Sequence, residues 1–160
     1  MSWRIFCVAA VLAADDSFER HIADTLSAGA GLCHDVAVEL CVKEGPAAIR
    51  QLLDYGVPLS RNGSGELDLG REGGHTARRV AHAGDITGRE IERTLLERAA
   101  ENPNIQLLEW HMGVDLIVLS RFGGPDTCAG AYVLDEKSGA VRRVLARQTV
   151  IATGGAGQVY

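Results

Sequence analysis

The sequence is poor in the features that announce metal, membrane or nucleic-acid chemistry. Its four cysteines, Cys7, Cys33, Cys41 and Cys128, form no C-x-x-C pair and have no histidine at ligand spacing, so neither a zinc site nor a dithiol motif is supported and buried free thiols are expected. No apolar run reaches the ~18 residues that a spanning helix needs, so membrane insertion is not expected. Positive charge is scarce as well. Lys and Arg number 16 against 21 Asp and Glu, a net charge of -5 that argues against a phosphate-neutralising surface and hence against a nucleic-acid partner. No G-x-G-x-x-G follows an N-terminal strand, so the usual dinucleotide fingerprint is missing. What is left is an ordinary globular composition over 160 residues, 46% hydrophobic and 23% charged, suited to handling a small molecule.

Glycine is abundant at 19 residues, gathered in short clusters that mark turns needing unusual backbone shapes. Met1 to Ala14 imitates a secretory signal, with Arg4 before a short apolar stretch; the competing reading makes Val8 to Leu12 a buried strand. From Asp16 the apolar spacing of Phe18, Ile22 and Leu26 predicts a helix capped by Asp16 or Ser17 and ended by Gly29-Ala30-Gly31. A second helix is predicted from Asp35 to Lys43, and Gly45-Pro46 is expected to break it and start a third running to Tyr55. Residues 57 to 86 read as a long irregular segment, which in a compact domain usually serves function. Thr87-Gly88-Arg89-Glu90 spells a capping box opening a helix to Ala100. Five strands are predicted after it: Ile105 to Trp110, Val114 to Leu119, Ala129 to Leu134, Val141 to Leu145 and Thr149 to Ala152. The pattern is α/β, with a helical first third and a β-rich second half.

Two segments could carry chemistry. The strand ending at Ala152 runs into Thr153-Gly154-Gly155-Ala156-Gly157, small residues whose amides could approach a phosphate or a ring edge, although a plain tight turn reads the same way. Arg71-Glu72-Gly73-Gly74-His75-Thr76-Ala77-Arg78-Arg79 crowds three arginines, a carboxylate and an imidazole beside two glycines. Its bland reading is a solvated loop of mutually neutralising charges. Its sharper reading lets the glycines bring backbone to a planar ligand while Glu72 faces a cationic group of the substrate. His75 and His82 lack a third metal ligand nearby, and His21, His34 and His111 read as surface or satisfied histidines.

With these segments placed, the chain resembles the L-aspartate oxidase family, within the succinate dehydrogenase and fumarate reductase flavoproteins. The residues that carry the resemblance are Asp16-Ser17, His21, Asp24-Thr25-Leu26, Ala28 to Cys33, Arg71 to His75, Arg78-Arg79, Asp85, Thr87 to Glu90, Val114 to Ile117 and Ala152 to Gly157. The charged position of Glu72 is the most specific of them, because dicarboxylate-oxidising relatives typically carry an uncharged residue there. A carboxylate at that point can recognise the ammonium that aspartate bears and succinate lacks.

The resemblance implies a partial, Rossmann-like FAD-binding domain and oxidation of L-aspartate to iminoaspartate in NAD biosynthesis by the quinolinate route. Hydride would pass to FAD, with oxygen or fumarate as electron acceptor, in the cytoplasm. It implies that Glu72 orients the substrate amine, that Arg71 and His75 belong to the substrate loop, and that Gly73 and Gly74 shape the flavin side of that loop. It further implies that Gly113 contacts the adenine side and that Ala152, Thr153, Gly154 and Gly155 lie against FAD. Family members carry an N-terminal βαβ unit, a capping domain and a returning C-terminal segment that have no counterpart in residues 1–160, so the chain reads as an incomplete FAD-binding domain expected neither to retain FAD nor to turn over aspartate by itself. A dicarboxylate dehydrogenase flavoprotein and a non-enzymatic module are the competing classes.

Overall fold

The first helix starts where the sequence offers a cap: the Ser17 hydroxyl accepts the Arg20 amide at 3.2 Å, and α1 runs Phe18–Ala28. A computed structural model describes residues 8–154 and divides them into two compact units, 8–105 and 106–154 within that range. The first seven residues of the signal-like stretch lie outside the described residues.

In the first unit, β1 (Val8–Ala9) is followed by α1 and by α2 (Asp35–Asp54), which pack on each other. The expected break at Gly45-Pro46 does not occur, and α2 is a single 20-residue helix with Pro46 inside it. An interior proline costs about 3 kcal/mol in helix propensity. Here it is buried on the same stripe as Val42 and Ile49, so packing offsets the lost hydrogen bond. Gly45 serves close approach instead of a break, since a Cβ there would sit 3.3 Å from the Ala10 Cβ.

Residues 57–86 are less irregular than their composition suggests. They contribute β2 (Leu69–Gly70) and β3 (Val80–Ala81), and β3 lies between β1 and β2 in a small antiparallel sheet with Ala9 and Gly70 both opposite Val80. The core of the unit gathers Ala10, Ile49, Val57, Leu59 and Ala81, with Leu52, Leu69 and Ile91 against it. The helix α3 spans Thr87–Glu101 but does not form the expected capping box. The Thr87 side chain is fully buried and its hydroxyl accepts the Ala83 amide at 2.9 Å, satisfying a buried donor at the exit of β3. Glu90 turns to Arg93 instead.

The second unit is a meander of β4 (His111–Val118), β5 (Cys128–Asp135) and β6 (Val141–Leu145), antiparallel throughout, with a 3₁₀ turn at Leu119–Phe122. Gly130 at φ 139 lets β5 lie against β6 at Val144. Neither Ile105 to Trp110 nor Thr149 to Ala152 forms a strand. Trp110 adopts φ 58, and its carbonyl takes the Glu136 amide at 2.9 Å as the chain enters β4. The division into a helical first third and a β-rich second half holds. The described cysteines are free, but Cys41 is exposed and Cys33 and Cys128 only half-buried, so the buried-thiol expectation fails for them. Among the described residues no helix is long and apolar enough to cross a membrane.

Candidate functional site

Arg79 organises the first unit. Its backbone is fixed from both sides, the carbonyl accepting the Ala10 amide at 3.0 Å and the N–H donating to Gly70 at 3.1 Å. Its side chain has no solvent exposure at all. The guanidinium forks onto Asp16, Nε to Oδ2 at 2.8 Å and Nη2 to Oδ1 at 2.7 Å, while Nη1 reaches Asp24 Oδ2 at 2.6 Å. Only arginine can make this arrangement, because a planar fork and a spare N–H are both required. The bland reading of a solvated charged loop therefore fails at Arg79, while its neighbour Arg78 is exposed and donates to the Leu69 carbonyl.

Asp24, on α1, links that buried charge to the glycine loop. Its Oδ2 also accepts the Thr76 amide at 2.8 Å and the Thr76 hydroxyl at 2.9 Å. The Thr76 amide, acting against burial and joined by Arg79, pulls the Asp24 carboxyl down to about 2. Burial raises Asp16, but the Arg79 hydrogen bonds and the Ser17 amide outweigh it and hold that carboxyl below its ordinary range. Both stay ionised at neutral pH. Two opposed carboxylates around one buried guanidinium is the balance that makes such a charge tolerable.

The loop itself is a β-turn. The His75 amide donates to the Glu72 carbonyl at 3.2 Å, and Gly74 at φ 85 occupies the third position, where a left-handed residue is needed. Arg71, Glu72 and Gly73 are exposed on this turn and His75 is half-buried. Gly73, Gly74 and His75 line an open cavity of ≈ 220 Å³ together with Asp24, Thr25 and Ala28. His75 Nδ1 lies 3.4 Å from Arg79 Nη1; a guanidinium can only donate, so the ring proton belongs on Nε2. The His75 ring meets His21 edge to face, centroids 5.7 Å apart. His21 is not a surface or satisfied histidine: it is buried, its Nδ1 has no hydrogen-bond partner among the described residues, and burial with the nearby Arg79 and His75 lowers its pKa. His82 stands apart from His75, beside Asp68 at 3.7 Å.

In the second unit, Gly113 and Thr153 line one open cavity of ≈ 320 Å³ with Val114, Leu116, Val150 and Ile151. Ala152 and Gly154 flank Thr153 in an exposed run without regular structure, Gly154 at φ 74, and Gly155 lies outside the described residues. Space at Gly113 is open, with nothing within 4 Å of an added Cβ. That open backbone leaves room for a planar group such as FAD would bring.

Sequence pattern alone does not single out Asp16, Asp24 or His21 as site residues, nor, within the charged Arg71–Arg79 segment, Arg79 as the buried one. The signal was present, since all four belong to the segments that carry the family resemblance.

The family described as FAD binding domain matches residues 5–160. L-aspartate oxidase 1 of Ralstonia nicotianae is 48% identical over 99% of this chain, and L-aspartate oxidase of Pseudomonas aeruginosa is 46% identical over 99%. The chain spans 30% and 31% of those two relatives. Among solved structures, an E. coli quinol fumarate reductase superposes with a TM-score of 0.90 at 32% identity, covering 99% of this chain and 26% of that one. With the family match running over residues 5–160 and those relatives aligned over nearly its whole length, the chain belongs to the FAD-binding-domain family.

Proposed function

We propose that this chain is a portion of an FAD-dependent L-aspartate oxidase, converting L-aspartate to iminoaspartate in NAD biosynthesis by the quinolinate route in the cytoplasm, with oxygen or fumarate as electron acceptor. The observation that carries the reading is Glu72, an exposed carboxylate at the head of a turn closed by His75 and anchored through Thr76. Bound FAD would supply a hydride acceptor for the substrate α-carbon. The chain's own residues bind and orient. Glu72 holds the substrate ammonium by a charge-assisted contact, and His75 offers its Nε2 proton to an anionic or carbonyl oxygen. The exposed glycines at 73 and 74 let the backbone come close to a planar group. Gly113, Ala152, Thr153, Gly154 and Gly155 supply the backbone that would hold the cofactor. Oxidation removes a hydride from the α-carbon and a proton from the amine to leave the C=N bond of iminoaspartate, so holding the nitrogen fixes the α-carbon as well.

The higher identity to L-aspartate oxidases than to the fumarate reductase favours this reading over a dicarboxylate dehydrogenase. Glu72→Gln in the FAD-loaded full-length enzyme that contains this chain tests it. Aspartate use should weaken by ~1.5 to 3 kcal/mol, the scale of a lost charged hydrogen bond, while succinate inhibition weakens less. Equal loss for both ligands removes amine recognition from Glu72.

A further inference from the structure

We propose that Asp24 is a positioning residue for the substrate loop: by gripping Thr76 from α1 it fixes the Glu72–His75 turn and so sets how strongly an amino dicarboxylate is preferred over its deaminated analogue. The proposal rests on the reading of Glu72 as the amine-recognising group. A turn with glycine at two successive positions has little conformational preference of its own, and its exposed head, Arg71 to Gly73, needs an anchor to present a carboxylate in one place. That anchor is Thr76, the residue after the turn. Both of its donors, amide and hydroxyl, end on the same oxygen of Asp24, at 2.8 and 2.9 Å. Its carbonyl is tied as well, accepting from Arg20 at 3.4 Å.

Asp24 is itself immobilised. It sits in α1, its oxygen receives Arg79 at 2.6 Å, and Arg79 is locked by Asp16 and by the sheet. A chain of short contacts thus runs from the buried core to the residue four positions beyond Glu72. Asp24 also lines the ≈ 220 Å³ cavity under Gly73, Gly74 and His75, so a shift of its carboxylate moves the floor of that cavity together with the loop.

The experiment compares the KM for L-aspartate with the inhibition constant of succinate in the FAD-loaded full-length enzyme that contains this chain, for Thr76→Val, Thr76→Ser, Asp24→Asn and Glu72→Gln. Thr76→Val deletes one of the two ties while keeping the backbone one. It should reduce the preference for aspartate by roughly fivefold, the worth of about one hydrogen bond. Thr76→Ser, which keeps the hydroxyl, should restore it, and Asp24→Asn should fall in the same direction as Thr76→Val. If Glu72→Gln abolishes the preference while Thr76→Val and Asp24→Asn leave it unchanged, or weaken both ligands equally, the clasp is structural only and the proposal is overturned. If Glu72→Gln leaves the preference intact, the amine reading fails and takes this proposal with it. Should Asp24→Asn fail to fold, the Thr76 pair decides alone.

Discussion

Residues 8–105 and 106–154 use the same Arg–Asp chemistry to opposite ends. In the first unit Arg79 lies with no exposure between Asp16 and Asp24, beside an apolar core, and every polar atom it offers is committed. In the second, Arg121 meets Asp115 at 2.6 Å with both side chains more than half exposed, and Ile117 is the buried apolar side chain among its described residues. The second sheet is held by its backbone ladder. Water decides the difference: an exposed pair is screened and worth little, whereas a buried guanidinium leaves an uncompensated charge if either partner is lost.

The largest expected effect follows from that contrast. Arg79→Met strands two carboxylates and should cost about 3 to 5 kcal/mol in urea unfolding. Arg79→Lys should recover only part of that, because an ammonium cannot fork onto Asp16 while reaching Asp24. A cost near that of a surface pair would erase the distinction between the units. Next in size is Gly130→Ala, where the new Cβ would overlap the Val144 carbonyl at φ 139. It should cost about 1 to 3 kcal/mol and be read as faster hydrogen exchange in β6, with the first unit untouched.

Acid sharpens the comparison further. His21, with its pKa lowered from 6.5, favours the fold while neutral, so stability begins to fall as pH drops below 6.5. Asp24, lowered from 3.8 to about 2, gives stability that is complete above 3.8 and is lost as pH falls through about 2; Asp16 adds in the same direction. A pH titration of stability should show both losses in the wild type, and Asp24→Asn should remove most of the lower one. The smallest effect is expected from Arg121→Ala, under about 1 kcal/mol and smaller still in high salt.

Local signals were legible in the sequence. Ser17 and the spacing of Phe18, Ile22 and Leu26 give α1, and β6 at Val141–Leu145 is the span its apolar and turn residues predict. Both depend on neighbours within a few positions. Pro46 misleads because the face it occupies matters more than the hydrogen bond it removes. The Arg79 clasp was illegible for a different reason: Arg78 and Arg79 are alike in composition, yet one is exposed and the other wholly buried, and the partner that decides it, Asp24, lies 55 positions earlier. Only chain closure brings them together. The Thr87 hydroxyl fits a cap by pattern, but it accepts instead from the Ala83 amide, two residues past β3.

The account turns on where the Glu72 carboxylate goes when substrate binds. A crystal structure of the FAD-loaded full-length enzyme that contains this chain, with a non-reacting aspartate analogue, measures this directly. The account predicts a carboxylate oxygen about 3 Å from the ligand nitrogen, with Thr76 still on Asp24. A ligand nitrogen held by other groups, with Glu72 turned to solvent, would contradict it.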